Sequence, residues 1–169
     1  MDKSFKNQLL NINENWKSHS RIFGQAIEQW VEDNVVCEAI DSNKYCRGKL
    51  FNQPANQKSY DVVCENCDKK YQIKATKTII KANRNNQYKV LGSEYQTTLN
   101  SINSGDNWDI ILIHYDIEMT RIQDVFLIYS KFITSDIVLP RKPLGPNARR
   151  AGWQGCYLVF DWDKIRKLY

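Results

Sequence analysis

No stretch of this sequence approaches about 18 consecutive apolar residues, and its first eight residues are mostly polar. Neither a membrane span nor a cleavable leader is therefore expected, and a cytoplasmic location follows as the default. Histidine is scarce. His19 and His114 are the only two, and His114, inside the apolar run Ile110-Ile111-Leu112-Ile113-His114-Tyr115, reads as a strand residue and not a ligand. There is no internal repeat and no low-complexity tract, which leaves residues 1–169 as one domain, large enough to bury about two thirds of its unfolded surface.

What is present is a globular composition, 42% hydrophobic and 12% aromatic, enough for a packed core. Residues 141–169 hold seven Lys or Arg against two Asp, which accounts for the whole net charge of +5. The preceding 140 residues balance 17 basic against 17 acidic side chains. A basic end on a neutral body points to a polyanion partner, an ordinary solvated face being the alternative.

Along the chain, Ile22, Phe23, Ala26, Ile27, Trp30 and Val31 recur at helical spacing over residues 20–33, with Trp30 in the apolar stripe. Residues 37–58 read as a long loop. Two short strands follow at 60–64 and 70–76, then an exposed basic loop at 77–92 containing Lys77, Lys81, Arg84 and Lys89. A short helix over 93–104 would place Tyr95, Leu99 and Ile102 on one face. Apolar runs at 109–115 and 125–129 predict buried strands. Prolines and glycines make 139–155 irregular, and a strand at 157–161 with a short basic helix closes the chain. The order predicts an α/β or α+β domain with a mixed sheet.

The stretch 60–74 carries the chemistry. Side chains alternate along a strand, so Gln72 and Lys74 share a face. With the turn between Asn66 and Cys67, Asp61 lies across from Gln72. One face then gathers a carboxylate, an amide oxygen and an ammonium. Hard oxygen ligands suit Mg²⁺, which polarises a phosphate and lowers the pKa of an attacking water, while a lysine orients that water or neutralises charge. Gln72 adds no negative charge, and Glu28 on the first helix is the candidate to supply it. The competing reading is a plain Asp61–Lys74 cross-strand pair on a solvated face.

Cys64 and Cys67 have the spacing of half a zinc knuckle, and Cys37 and Cys46 are the natural second pair. Cys156 reads as a buried core thiol.

The run Arg141-Lys142-Pro143-Leu144-Gly145-Pro146-Asn147-Ala148-Arg149-Arg150-Ala151-Gly152-Trp153-Gln154-Gly155-Cys156 strongly resembles a segment of the Dam-replacing family of methyl-directed restriction endonucleases. The resemblance extends to Glu28-x-Trp30-Val31, to Cys37 and to the hairpin, covering roughly residues 15–160. It implies a restriction-endonuclease-like PD-(D/E)xK core with mixed sheet flanked by helices, a four-cysteine zinc knuckle at about 37–67, and Mg²⁺-dependent cleavage of double-stranded DNA at Gm6ATC. Carried over, Asp61 and position 72 hold the Mg²⁺, Lys74 assists the water, and Cys37, Cys64 and Cys67 are zinc ligands.

The sequence departs from the pattern in three ways. Gln72 stands at the family's glutamate. Ile40 stands at the second knuckle cysteine, a role Cys46 is expected to assume. The family's winged-helix domain is not expected within residues 1–169, and the nuclease domain is then expected to read DNA alone.

Within the basic segment 139–155, Arg141, Lys142, Arg149 and Arg150 surround Trp153. Arginines clamp phosphates or pair with guanine, and a flat indole can contact adenine N6-methyl groups in the major groove. Trp153 is therefore expected as the methyl sensor, a core tryptophan being the alternative. The expectation is a monomeric Mg²⁺-dependent endonuclease for adenine-methylated DNA. A catalytically weak methylated-DNA-binding module and an endonuclease for an unmethylated site stand beside it.

Overall fold

A strand whose two faces are both apolar belongs in the middle of a covered sheet. Asp109–Tyr115 is such a strand, buried at all seven positions. The computed structural model describes residues 20–41, 44–53, 60–77, 87–116 and 121–169, apart from the side chains of Ser20, Arg21, Ile22, Asp41 and Lys77. His19, Lys58, Lys81 and Arg84 lie outside the described residues.

Among the described residues the helices and strands are, in chain order, α1 (Ser20–Asn34), β1 (Ile40–Asp41), β2 (Lys44–Tyr45), β3 (Leu50–Asn52), β4 (Val62–Cys64), β5 (Lys70–Lys77), β6 (Gln87–Glu94), α2 (Tyr95–Asn103), β7 (Asp109–Tyr115), β8 (Ile122–Ile128), β9 (Val138–Pro140), β10 (Gly155–Asp161) and β11 (Ile165–Lys167). The main sheet has the order β11-β8-β7-β5-β4-β3, and β6-β10-β9 form a second sheet. In the main sheet only β5 and β7 pair in parallel; the other neighbours are antiparallel. The protein is a mixed α+β domain with a mixed sheet.

Alternation along β7 and β8 sorts the core into two layers. Ile111, Ile113, Val125 and Leu127 face α1, where Phe23, Ala26, Ile27 and Val31 supply the helical stripe with Trp30 packed beside them. Ile110, Leu112, Phe126 and Ile128 face the second sheet, meeting Val90, Leu158 and Phe160, with Tyr95, Leu99 and Ile102 of α2 against them. Each such side chain contributes roughly 1.5–3 kcal/mol by leaving water. Glu94 starts α2 by accepting the Gln96 and Thr97 amide protons, and Gly105, at φ 74, follows its end.

Three segments differ from the sequence expectation. Residues 87–94 form β6 rather than continuing a basic loop, because β10 pairs with them and Val90 supplies the one fully buried anchor. The expected terminal helix is a 3-10 turn, Trp162–Lys164, followed by β11 on the edge of β8. A segment so short gains more from an existing sheet edge than from nucleating a helix. Within 37–58, the expected long loop carries β1, β2 and β3.

Candidate active site and metal centre

Sheet register brings the hairpin residues together. Val62 pairs with Tyr71 and Val63 with Lys70, so one further step sets Asp61 across from Gln72. β5 runs on to Lys77, while β4 begins only at Val62. Asp61 occupies the first position beyond that strand end. Its amide donates to the Tyr71 carbonyl at 2.9 Å, and its Oδ2 accepts the Ile73 N–H at 2.6 Å. The carboxylate is thus fixed by the backbone on both sides of Gln72.

The charges converge from three elements. Burial raises the pKa of Glu28 on α1, and the charge of Asp61 raises it further. Burial pushes the Lys74 ammonium down, with Asp61 pulling the other way. Asp61 is therefore felt by both groups. Gln72 and Lys74 line a cleft of about 550 Å³ whose other walls include Ser93, Thr98, Asn107 and Trp108. Trp108 meets Tyr60 edge to face at 5.6 Å, and Lys70 lies 4.8 and 5.1 Å from the two ring centres. Neither Tyr60 nor Trp108 forms part of a motif, and only their nearness to Asp61 and to the β7 run hinted at this place.

A donor set of two mutually repelling acids and one amide oxygen suits a hard divalent cation, which would relieve the repulsion. Asp61, Gln72 and Glu28 are the residues present for it, and the fit is chemically sound.

The cysteines form a second centre. The Sγ atoms of Cys37, Cys46, Cys64 and Cys67 lie within 4.8 Å of one another. Cys37–Cys67 and Cys46–Cys64 are each 3.6 Å apart, against the roughly 3.8 Å of a tetrahedral zinc–thiolate set. The spacing from Cys37 to Cys46, wide for a knuckle, is closed by a small ribbon. Ile40 pairs with Tyr45, and Cys46 N–H donates to Ala39 O at 2.9 Å. Amides of Ala39 and Asn66 point at the Cys37 and Cys64 sulfurs at 3.5 and 3.4 Å. A Cβ at Gly48 would stand 2.7 Å from Cys64 Sγ, so only glycine fits there. Ile40 itself is 58% exposed and contributes nothing to the cluster. Four thiols so arranged can hold a metal ion.

Behind this centre lies Glu38, buried and ion-paired to Arg47 and to Arg166, whose Nη2 is 2.9 Å from Glu38 Oε2. Both guanidiniums also cover the Tyr45 ring. Cys156 is fully buried near Ser93 and Thr98, as the core-thiol reading expects.

The basic segment is a closed loop. Arg141 N–H donates to Gly155 O, Leu144 N–H to Trp153 O and Gly152 N–H to Leu144 O. Lys142, Arg149 and Arg150 are exposed, and Arg141 is half-buried. Trp153 belongs to neither core cluster; the Arg150 guanidinium lies 4.7 Å over its ring, and its edge fills the space a side chain at Gly155 would need. This loop stands apart from the acid–lysine cluster in sequence but joins it through β10, which forms part of the cleft at Leu158.

A mixed α+β domain carrying a four-cysteine centre beside an acid–amide–lysine cluster is thus the class defined by fold and site. The family model for DpnI, the Dam-replacing family, matches residues 1–163 of the chain, and the chain belongs to that family of methyl-directed restriction endonucleases. Among the described residues no helix is long and apolar enough to cross a membrane.

Proposed function

We propose that this chain is a Mg²⁺-dependent endonuclease that cuts double-stranded DNA at adenine-methylated sites, with GATC as the sequence, and that it is built on a PD-(D/E)xK core. The observation that carries the reading is the register that sets Asp61 across from Gln72, with the Asp61 charge acting on both Glu28 and Lys74. A bound Mg²⁺ supplies Lewis-acid activation of phosphate and water. Asp61 and Gln72 hold the ion, and Glu28 contributes the charge that an amide at 72 lacks. Lys74 orients the attacking water or neutralises charge on the scissile phosphate.

Zn²⁺ in the Cys37/Cys46/Cys64/Cys67 centre is structural in this proposal, holding the hairpin tip and the first loop as one piece. Arg141, Lys142, Arg149 and Arg150 bind phosphate or guanine, and Trp153 contacts the adenine methyl groups. Residues 1–169 act as one nuclease domain and as a monomer.

Plasmid DNA with and without adenine methylation, incubated with Mg²⁺, tests the whole proposal. Cutting of the methylated substrate alone supports it. Equal cutting of both removes methyl dependence. A gel shift without cutting favours a methylated-DNA-binding module, the second reading that the neutral side chain of Gln72 keeps in view.

A further inference from the structure

Tyr71 joins the four-cysteine centre to the candidate catalytic strand through its side chain. It is 1% exposed and sits on β5 directly before Gln72. Its side chain points to the face opposite the Gln72 and Lys74 cleft, into the cluster that includes Cys37 and Cys64. Its hydroxyl lies 3.2 Å from Cys37 Sγ and 3.2 Å from the Glu38 backbone nitrogen. An amide nitrogen is only a donor, so the hydroxyl oxygen accepts from Glu38 and its own proton is left for the Cys37 sulfur. At the other end of the same residue, the Tyr71 carbonyl accepts the Asp61 N–H at 2.9 Å.

We infer that Tyr71 is a positioning residue: its phenol donates to the metal-bound Cys37 thiolate, and through it an occupied cysteine centre fixes the stretch of β5 that holds Asp61 and Gln72 in place. The inference rests on the reading of the cysteines as a metal centre and of Asp61 and Gln72 as the cleavage site. A hydrogen bond to a coordinating group orients that ligand and tunes its donor strength, and losing such a partner typically costs about 10–100-fold in metal affinity. A buried phenol aimed at a thiolate has no such consequence if it merely fills space.

Tyr71→Phe removes the hydroxyl and keeps the ring, so folding should survive; circular dichroism checks that it does. The measurements are Zn²⁺ affinity by chelator competition, the sulfur-to-metal charge-transfer band of the Co²⁺-substituted protein, and the Mg²⁺ concentration at half-maximal cleavage. In the variant, Zn²⁺ affinity should fall at least about tenfold. The Co²⁺ band should shift to longer wavelength, as a thiolate relieved of a donor becomes easier to ionise towards the metal. Half-maximal cleavage should need several-fold more Mg²⁺. A variant that loses thermal stability but keeps the wild-type band and affinity overturns the inference, leaving Tyr71 a packing residue. A shifted band with an unchanged Mg²⁺ requirement overturns the link to the cleavage site. Wild-type protein that holds no Zn²⁺ or Co²⁺ sinks the metal-centre reading and this inference together, whereas a metal-loaded wild type inactive on DNA, with band and affinity altered by Tyr71→Phe, supports the hydrogen bond and rejects only the cleavage reading.

Discussion

The Ile73 amide donates to the Asp61 carboxylate at 2.6 Å, so the acid replaces the strand partner that β4 no longer provides. A side chain held this way cannot drift from Gln72 without leaving a backbone donor unpaired. The neighbouring position is therefore a controlled place to change one charge.

Gln72→Glu adds a carboxylate opposite Asp61. The Mg²⁺ concentration for half-maximal cleavage should fall roughly tenfold, equivalent to about 1.4 kcal/mol of binding. Cleavage assays across a Mg²⁺ titration measure it. An unchanged requirement would show that Glu28 already fills the role.

Glu28→Gln should stabilise the metal-free protein at neutral pH while lowering cleavage. The folded pKa of Glu28 is raised above 4.5, by burial and then by Asp61. Below that value the residue is protonated whether folded or not and exacts no penalty. As pH rises from 4.5 through the folded value, the unfolded chain releases its proton first and stability falls. The melting-temperature advantage of the variant should thus be absent near about pH 4, present near about pH 7, and reduced by Mg²⁺. An advantage independent of pH would point to packing rather than charge.

Cys46→Ser should abolish stoichiometric Zn²⁺ binding, measured by elemental analysis of the purified protein. Adding Ile40→Cys should not restore it, because residue 40 is exposed and held in the ribbon opposite Tyr45. Recovery of metal in the double variant would mean that the ribbon rearranges.

Trp153→Ala should reduce the preference for methylated over unmethylated DNA with little loss of melting temperature, since the ring lies outside both core clusters. Paired binding measurements on the two substrates test this. A large drop in stability with unchanged preference would assign the indole to holding the loop closed.

Much of this was legible in the sequence for local reasons. The run 109–115 is apolar at every position but His114 and its ends, and its seven-residue length suits a strand covered on both faces. The Asp61–Gln72 pairing follows from counting residues about a turn. What could not be read depends on distant partners. β6 shows a single fully buried residue, Val90, and becomes a strand only because β10 lies beside it. Glu38 looks like any surface acid until Arg166, far along the chain, closes over it. Tyr71 reads as an alternating core residue, and nothing in its neighbours announces a thiol within reach of its hydroxyl.

The Glu38–Arg166 pair also sets a practical boundary. A fragment ending at residue 163, where the family match stops, would lack β11, and with it the pairing on the β8 edge and the Arg166 guanidinium that covers Glu38. Boundaries drawn from the family match alone would therefore cut away an ion pair and a strand pairing that this fold uses.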